Sequence, residues 1–226
     1  MQYALSLFSI ILLFSCQSPS STSGTSVAEA SLTVEPTAFT DAQKAQLDTA
    51  TFAGGCFWCT EAVFERVRGV ESVVSGYTGG DQPNPTYEAV SAGETTHAEA
   101  VQIYYDPEQI TYPELVKIFM GTHDPTQLNR QGPDVGAQYR SAIYYRNPEE
   151  QQAVEQYVQE LSQSGKYDDP IVTQVEPFEV FYDAEGYHQN YYENNPTNPY
   201  IMSVAKPKVK KFTKNFGDYL KDKASS

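Results

Sequence analysis

Gly54-Gly55-Cys56-Phe57-Trp58-Cys59 joins two segments of different period and sets two thiols three residues apart. Ahead of it, Thr49-Ala50-Thr51-Phe52-Ala53 is short and β-branched and runs into the two glycines, the pattern of a buried strand entering a tight turn. Behind it, Ala62, Val63 and Val67 recur at helical spacing as far as Gly69. Strand, turn and helix in that order put Cys56 at a helix N-terminus, where unpaired N–H groups and the macrodipole favour an anion. A thiol so placed is expected to drop from a pKa of about 8.5 into the roughly 3.5–7.5 range and to act as a nucleophilic thiolate.

A C-x-x-C pair serves dithiol redox chemistry, half a zinc site or a structural disulfide. Zinc is disfavoured, because a second ligand pair is missing: the other thiol is Cys16, and His97, His123 and His188 are scattered. A disulfide between residues so close stabilises little. Redox or nucleophilic use is the better reading.

Outward from this motif, strands and helices alternate. Residues 70–76 and 97–105 read as strands, and the second puts Glu99, Val101, Ile103 and Tyr105 on one face. Two prolines make 81–85 a loop. Residues 112–122 form a helix with Pro113 in its first turn, and 129–136 a polar Gly/Pro loop. A strand follows at 139–145. Asn147-Pro148-Glu149-Glu150 then opens a helix striped by Ala153, Val154, Tyr157, Val158 and Leu161. One or two strands occupy 171–182, ahead of an aromatic, Asn/Pro-rich stretch to residue 200. The pattern fits an α+β two-layer sandwich, a mixed β-sheet with helices mainly on one face.

The ends differ from the middle. The first sixteen residues hold no charge, and 5–14 is nearly continuous apolar sequence, too short for a bilayer span and suited to a signal peptide. Leu13-Phe14-Ser15-Cys16 resembles a bacterial lipobox, so Cys16 is expected to carry lipid; plain secretion or a free buried thiol is the alternative. Residues 17–45 then form a tether whose start is Ser/Thr-rich. The expected location is the bacterial cell envelope, membrane-anchored. Net charge is −14, which argues against nucleic acid as the main partner. The tail 206–226 carries seven Lys against two Asp, with Val209, Phe212, Phe216, Tyr219 and Leu220 on one helical face. It reads as an amphipathic helix docked on the acidic body, or less readily as a contact for an anionic membrane.

Glu99 shares its predicted face with apolar residues. If that face is buried, desolvation keeps the carboxyl protonated near neutral pH, ready to act as a general acid. The bland reading is an exposed or ion-paired strand glutamate. Phe57, Trp58, Tyr87 and Tyr139 are each read either as core packing or as ligand contacts.

Several stretches together resemble the A-type peptide methionine sulfoxide reductases. They are Gly54-Gly55-Cys56-Phe57-Trp58-Cys59-Thr60-Glu61, Gly76-Tyr77-Thr78-Gly79-Gly80, Pro83-Asn84-Pro85-Thr86-Tyr87 and Gly93-Glu94-Thr95-Thr96-His97-Ala98-Glu99-Ala100-Val101. Further on come His123-Asp124-Pro125-Thr126-Gln127, the run from Arg130 to Ser141, and Tyr187-His188-Gln189-Asn190-Tyr191-Tyr192. They run in order through the proposed catalytic domain, 46–205. The resemblance implies a reductase fold related to ferredoxin-like folds and thiol-dependent reduction of methionine S-sulfoxide, free or in proteins. It makes Cys56 the nucleophile and Glu99 the acid that protonates the sulfoxide oxygen. Tyr87 and Tyr139 are hydroxyls holding that oxygen, Asp134 is a polar member of the site, and Phe57 and Trp58 are the pocket for the S-methyl group.

Relatives often carry resolving cysteines near the C-terminus after Asn-Pro-Tyr. Here Asn198-Pro199-Tyr200 is followed by Ile201-Met202, and no cysteine lies beyond Cys59. Resolution of the Cys56 sulfenic acid is therefore expected from Cys59, with an external thiol as the alternative. Recycling falls to thioredoxin or a similar dithiol, with no bound cofactor or metal and a monomer expected. The rival readings are a general thiol–disulfide oxidoreductase of the envelope and a metal-binding or scaffolding lipoprotein.

Overall fold

The computed structural model of the chain describes residues 47–222; the leader at 1–16, Cys16 and the tether at 17–45 lie outside them. In chain order the strands are β1 (Asp48–Gly54), β2 (Val70–Thr78), β3 (Ala98–Tyr105), β4 (Arg130–Gln131), β5 (Asp134–Val135), β6 (Ser141–Tyr145), β7 (Gln174–Pro177) and β8 (Phe181–Asp183). The helices are α1 (Phe57–Phe64), α2 (Tyr87–Ser91), α3 (Tyr112–Thr122), α4 (Pro148–Gln163), α5 (Tyr191–Asn194) and α6 (Lys206–Asn215). Six strands form one sheet in the order β7-β6-β1-β3-β2-β8, while β4 and β5 make a separate hairpin. Neighbours are antiparallel except β6 and β7, so the sheet is mixed and the molecule is α+β, as expected.

Period-two alternation decides where the core lies. Ala50 and Phe52 of β1 and Val101 and Ile103 of β3 point to one face, where α1, α3, α4 and α6 deliver Phe64, Phe119, Val154 and Phe212 to the same buried cluster. The opposite face carries small residues, Ala53, Ala98, Ala100 and Ala142, closed over by Phe178 and Phe181. Burying a side chain the size of Phe or Leu contributes roughly 1.5–3 kcal/mol, so the helical face dominates stability.

Caps set the two well-defined helices. Glu114 accepts from the Thr111 N–H at 2.9 Å in a capping box, and Asn147 Oδ1 accepts from the Glu150 N–H at 2.8 Å ahead of Pro148.

Four sequence expectations change. Helix α1 stops at Phe64; Val67 instead bridges Leu220. Tyr139 lies in a 3-10 turn, Ala137–Tyr139, and the strand begins only at Ser141, because Gly136 turns the chain with φ 141°. Loop 129–136 holds the β4–β5 hairpin. The C-terminal helix ends at Asn215, after which Gly217–Tyr219 forms another 3-10 turn. Val209 and Phe212 are nevertheless buried, so the helix spends its apolar face on the body, the docked reading. Among the described residues no helix is long and apolar enough to cross a membrane.

Candidate active site

The turn between β1 and α1 requires glycine. Gly55 has φ +93°, and a Cβ there would stand 2.7 Å from Gln131 Cβ. The turn makes Cys56 the N-cap of α1, its carbonyl accepting from the Cys59 N–H at 3.1 Å. Both sulfurs are reduced and hydrogen-bonded to each other, and only 6% of Cys56 and 2% of Cys59 is exposed.

Antiparallel pairing brings Glu99 to this turn. On β3 it faces Tyr77 of β2 in register, and its side chain lies on the helical face, as its spacing predicts. Its Oε2 accepts from the Phe57 N–H at 3.1 Å, so the carboxyl meets the first amide after Cys56. Burial pushes its pKa up to about 8 against that N–H, with the charges of Asp134 and Cys59 adding to the rise. Near neutral pH it is a protonated acid beside a thiol.

The thiols depart from expectation. The helix terminus does not make Cys56 the thiolate: burial pushes its pKa well up, helped by the hydrogen bond to Cys59 and by the field of Glu99. Cys59 falls to about 7, drawn down first by the Cys56 hydrogen bond and then by Lys208 and Tyr200, against burial and Asp134. The local dipole acts through a few amides, whereas desolvation acts from all sides. Burial thus works against a thiolate on Cys56, and Cys59 is the sulfur of the pair drawn toward ionisation.

The other expected residues converge. Tyr87 and Tyr139 each feel the charges of Glu99 and Cys56; burial raises Tyr87 to about 12 and Tyr139 also upward, so both keep their hydroxyl protons. Asp134 accepts from Tyr200 Oη at 2.7 Å, and that hydroxyl lies 3.9 Å from Cys59 Sγ. Phe57 is buried against Trp58, Tyr77 and His188, more core than surface. Trp58 is half-exposed and stacks on Tyr191 with centroids 3.8 Å apart.

Sequence reasoning missed Tyr200, His188, Glu61 and Gln189. His188 Nδ1 accepts from Trp58 Nε1 at 3.1 Å, which fixes the indole's edge. Gln189 exchanges both amide bonds with the Ser75 backbone, at 3.0 and 2.9 Å. Glu61, raised to about 8 chiefly by burial, accepts from the Asn190 N–H at 3.0 Å. These bonds pin residues 186–200 over α1, with Asn190 in a left-handed turn at φ 54°. Tyr-His-Gln-Asn was visible as a motif, but nothing local tied it to the thiols. Among the described residues no three His, Cys, Asp or Glu side chains gather as a metal site needs.

A buried dithiol beside a neutral carboxyl and two protonated tyrosines can deliver a sulfur nucleophile and a proton to one small polar molecule. Comparison with known proteins points the same way. The family model for peptide methionine sulfoxide reductase matches residues 48–220. The peptide methionine sulfoxide reductase MsrA of Deinococcus radiodurans is 52% identical over 77% of this chain and 84% of its own. MsrA 1 of Rhodopirellula baltica is 55% identical over 77% and 90%. Among solved structures, methionine sulfoxide reductase A of Corynebacterium diphtheriae superposes with TM-score 0.61 at 40% identity over 67% of this chain and 76% of that one. Reduced Mxr1 of Saccharomyces cerevisiae gives 0.62 at 36% identity over 68% and 88%. The chain belongs to the peptide methionine sulfoxide reductase family, A type.

Proposed function

We infer that the protein reduces methionine S-sulfoxide to methionine at the expense of its own dithiol, acting on the free amino acid or on oxidised proteins. The observation that carries this reading is the buried, neutral Glu99 held by the amide that follows Cys56. A general thiol–disulfide oxidoreductase would give that carboxyl no task.

In this reading the sulfoxide oxygen enters between Glu99, Tyr87 and Tyr139. The methyl group meets Trp58, with Phe57 behind it, an aromatic slot suited to a small apolar group. Cys56 sulfur attacks the sulfoxide sulfur as its proton passes to Cys59, and Glu99 protonates the oxygen. The hydroxyl passes from the methionine sulfur to Cys56 as the S–S bond between them breaks, so methionine leaves and Cys56 becomes a sulfenic acid, the reversible first rung of thiol oxidation. Asp134, bonded to Tyr200, keeps polar groups facing the site. Cys59 hands its proton on to Glu99, its thiolate then closes a disulfide with Cys56 as the hydroxyl leaves as water with a proton from solvent, and a thioredoxin-like dithiol reopens the disulfide. No bound cofactor or metal is part of the cycle.

Export, with lipid on Cys16, remains part of the proposal, supported by the apolar leader and the Ser/Thr-rich run after it. So do a monomeric state and the two-layer, ferredoxin-related description; helices gathered in one core cluster support the two-layer part, and the family resemblance the ferredoxin-related part. The domain limits 46–205 rest on the ordered run of family-like motifs, and the tail 206–226 on the change in charge at residue 206.

Incubation of the reduced protein with the S- and R-sulfoxides of a blocked methionine, using dithiothreitol, tests the activity. The S epimer is expected to be consumed and the R epimer spared. An untouched S epimer rejects the reading.

A further inference from the structure

Cys59 does not face only the catalytic side. Behind it, Cys59, Thr60, Val63, Phe119, His123 and Lys208 line a crevice of about 10 Å³. Lys208 and His123 also line a surface cleft of about 350 Å³ that includes Lys166 and Lys211. Lys208 is half-buried on α6, and its Nζ comes within 3.7 Å of where a Gly55 side chain would begin. An ammonium thus stands against the glycine turn and the rear of the dithiol, in a chain whose residues outside the tail are strongly acidic.

We propose that Lys208 is the positioning residue for the resolving thiol: its ammonium, carried by the C-terminal helix, holds Cys59 as the anion that attacks oxidised Cys56. This deepens, and rests on, the proposed resolution by Cys59. The groups facing Cys59 fall into two sets. Asp134 from β5 and Glu99 from β3 oppose a negative sulfur, and Glu99 stays neutral until pH rises to about 8. Tyr200, Cys56 and Lys208 favour it. His123 adds no charge, since burial lowers its pKa to about 4. The Cys56 hydrogen bond is the largest support at rest, but that S–H no longer exists once Cys56 is a sulfenic acid. Of the groups that favour the anion, Lys208 is then the one carrying a full positive charge.

The step balances. The Cys59 thiolate attacks Cys56 Sγ, the S–S bond forms as the S–O bond breaks, and the hydroxide leaves as water after taking a proton from solvent. The sulfenic sulfur is reduced and the thiolate sulfur oxidised, each to the disulfide level, with no outside oxidant or reductant.

The test titrates Cys59 in full-length Cys56→Ser protein by ultraviolet thiolate absorbance, with a Cys56→Ser, Cys59→Ser protein as blank. Adding Lys208→Met is expected to raise the midpoint by about one pH unit, the size typical of losing an opposite charge at close range. Lys208→Arg is expected to restore it. A midpoint unmoved by Met, or raised equally by Arg, overturns the proposal; Lys208→Gln repeats the measurement should the Met variant fail to fold. In otherwise native protein given one equivalent of S-sulfoxide, thiol counting should show disulfide closure slowed roughly three- to tenfold near neutral pH, partly offset by the higher nucleophilicity of a more basic thiolate. Closure at the native rate also overturns it. The titration requires no sulfoxide turnover, so its result stands apart from failure of the reductase reading.

Discussion

Glu99→Gln keeps the size of the side chain and leaves an oxygen for the Phe57 N–H, but it removes the proton that titrates. Burial lifts the Glu99 pKa from 4.5 to about 8. At about 1.4 kcal/mol per pH unit, that corresponds to an upper figure of ~5 kcal/mol linked to the carboxyl. The sign follows from a raised carboxyl pKa. The contribution of Glu99 to stability is fully present below about pH 4.5, where both states are protonated. It drains away as pH rises, because the unfolded chain releases a proton that the folded one retains, and it is gone once pH passes the folded value of about 8. The variant has no such loss. Urea unfolding of both reduced proteins at acid, neutral and alkaline pH should therefore show the variant gaining on the native protein by several kcal/mol. Any fixed cost of burying the amide cancels in the comparison. The same substitution should slow the methionine burst by about 10²–10⁴ and abolish its decline above the Glu99 pKa. If the stability gap were independent of pH, the carboxyl would not be held neutral by the fold and its role as acid would fall.

Other substitutions probe neighbouring links. Cys59→Ser should release one equivalent of methionine and then stall; sustained turnover driven by thioredoxin would contradict its role as resolver. Tyr200→Phe takes the 2.7 Å donor from Asp134 and should cost about 1–3 kcal/mol in denaturant unfolding, so unaltered stability would show that bond to be idle. Gly55→Ala forces φ +93° on a residue with a Cβ and drives that Cβ onto Gln131; it should destabilise by at least ~1–3 kcal/mol, and an unchanged melting temperature would refute the strain.

What could be read from the sequence was whatever depends on near neighbours. The glycine turn, the bounds of α3 with its Pro113, the Asn147 cap of α4 and the face shared by Glu99, Val101 and Ile103 all follow from spacing within a few residues. What escaped depends on distant parts of the chain. Helix α1 is buried on nearly every side, so it carries no polar stripe to mark its end. Helices α2 and α5, of five and four residues, are too short to show a period. Tyr200 reaches Cys59 across 141 positions, a proximity that no local pattern encodes. The upward shift of Cys56 escaped for a similar reason: the helix terminus is local, but desolvation is a property of the finished core.

The segment that lies over the thiols is fastened to the sheet by Gln189 and to α1 by Glu61, and it brings no third sulfur. In the proposed cycle, disulfide closure between Cys56 and Cys59 thus takes place within a single helical turn and needs no swing of a long arm. Oxidised and reduced forms should then share one backbone, so that no large rearrangement has to precede disulfide closure.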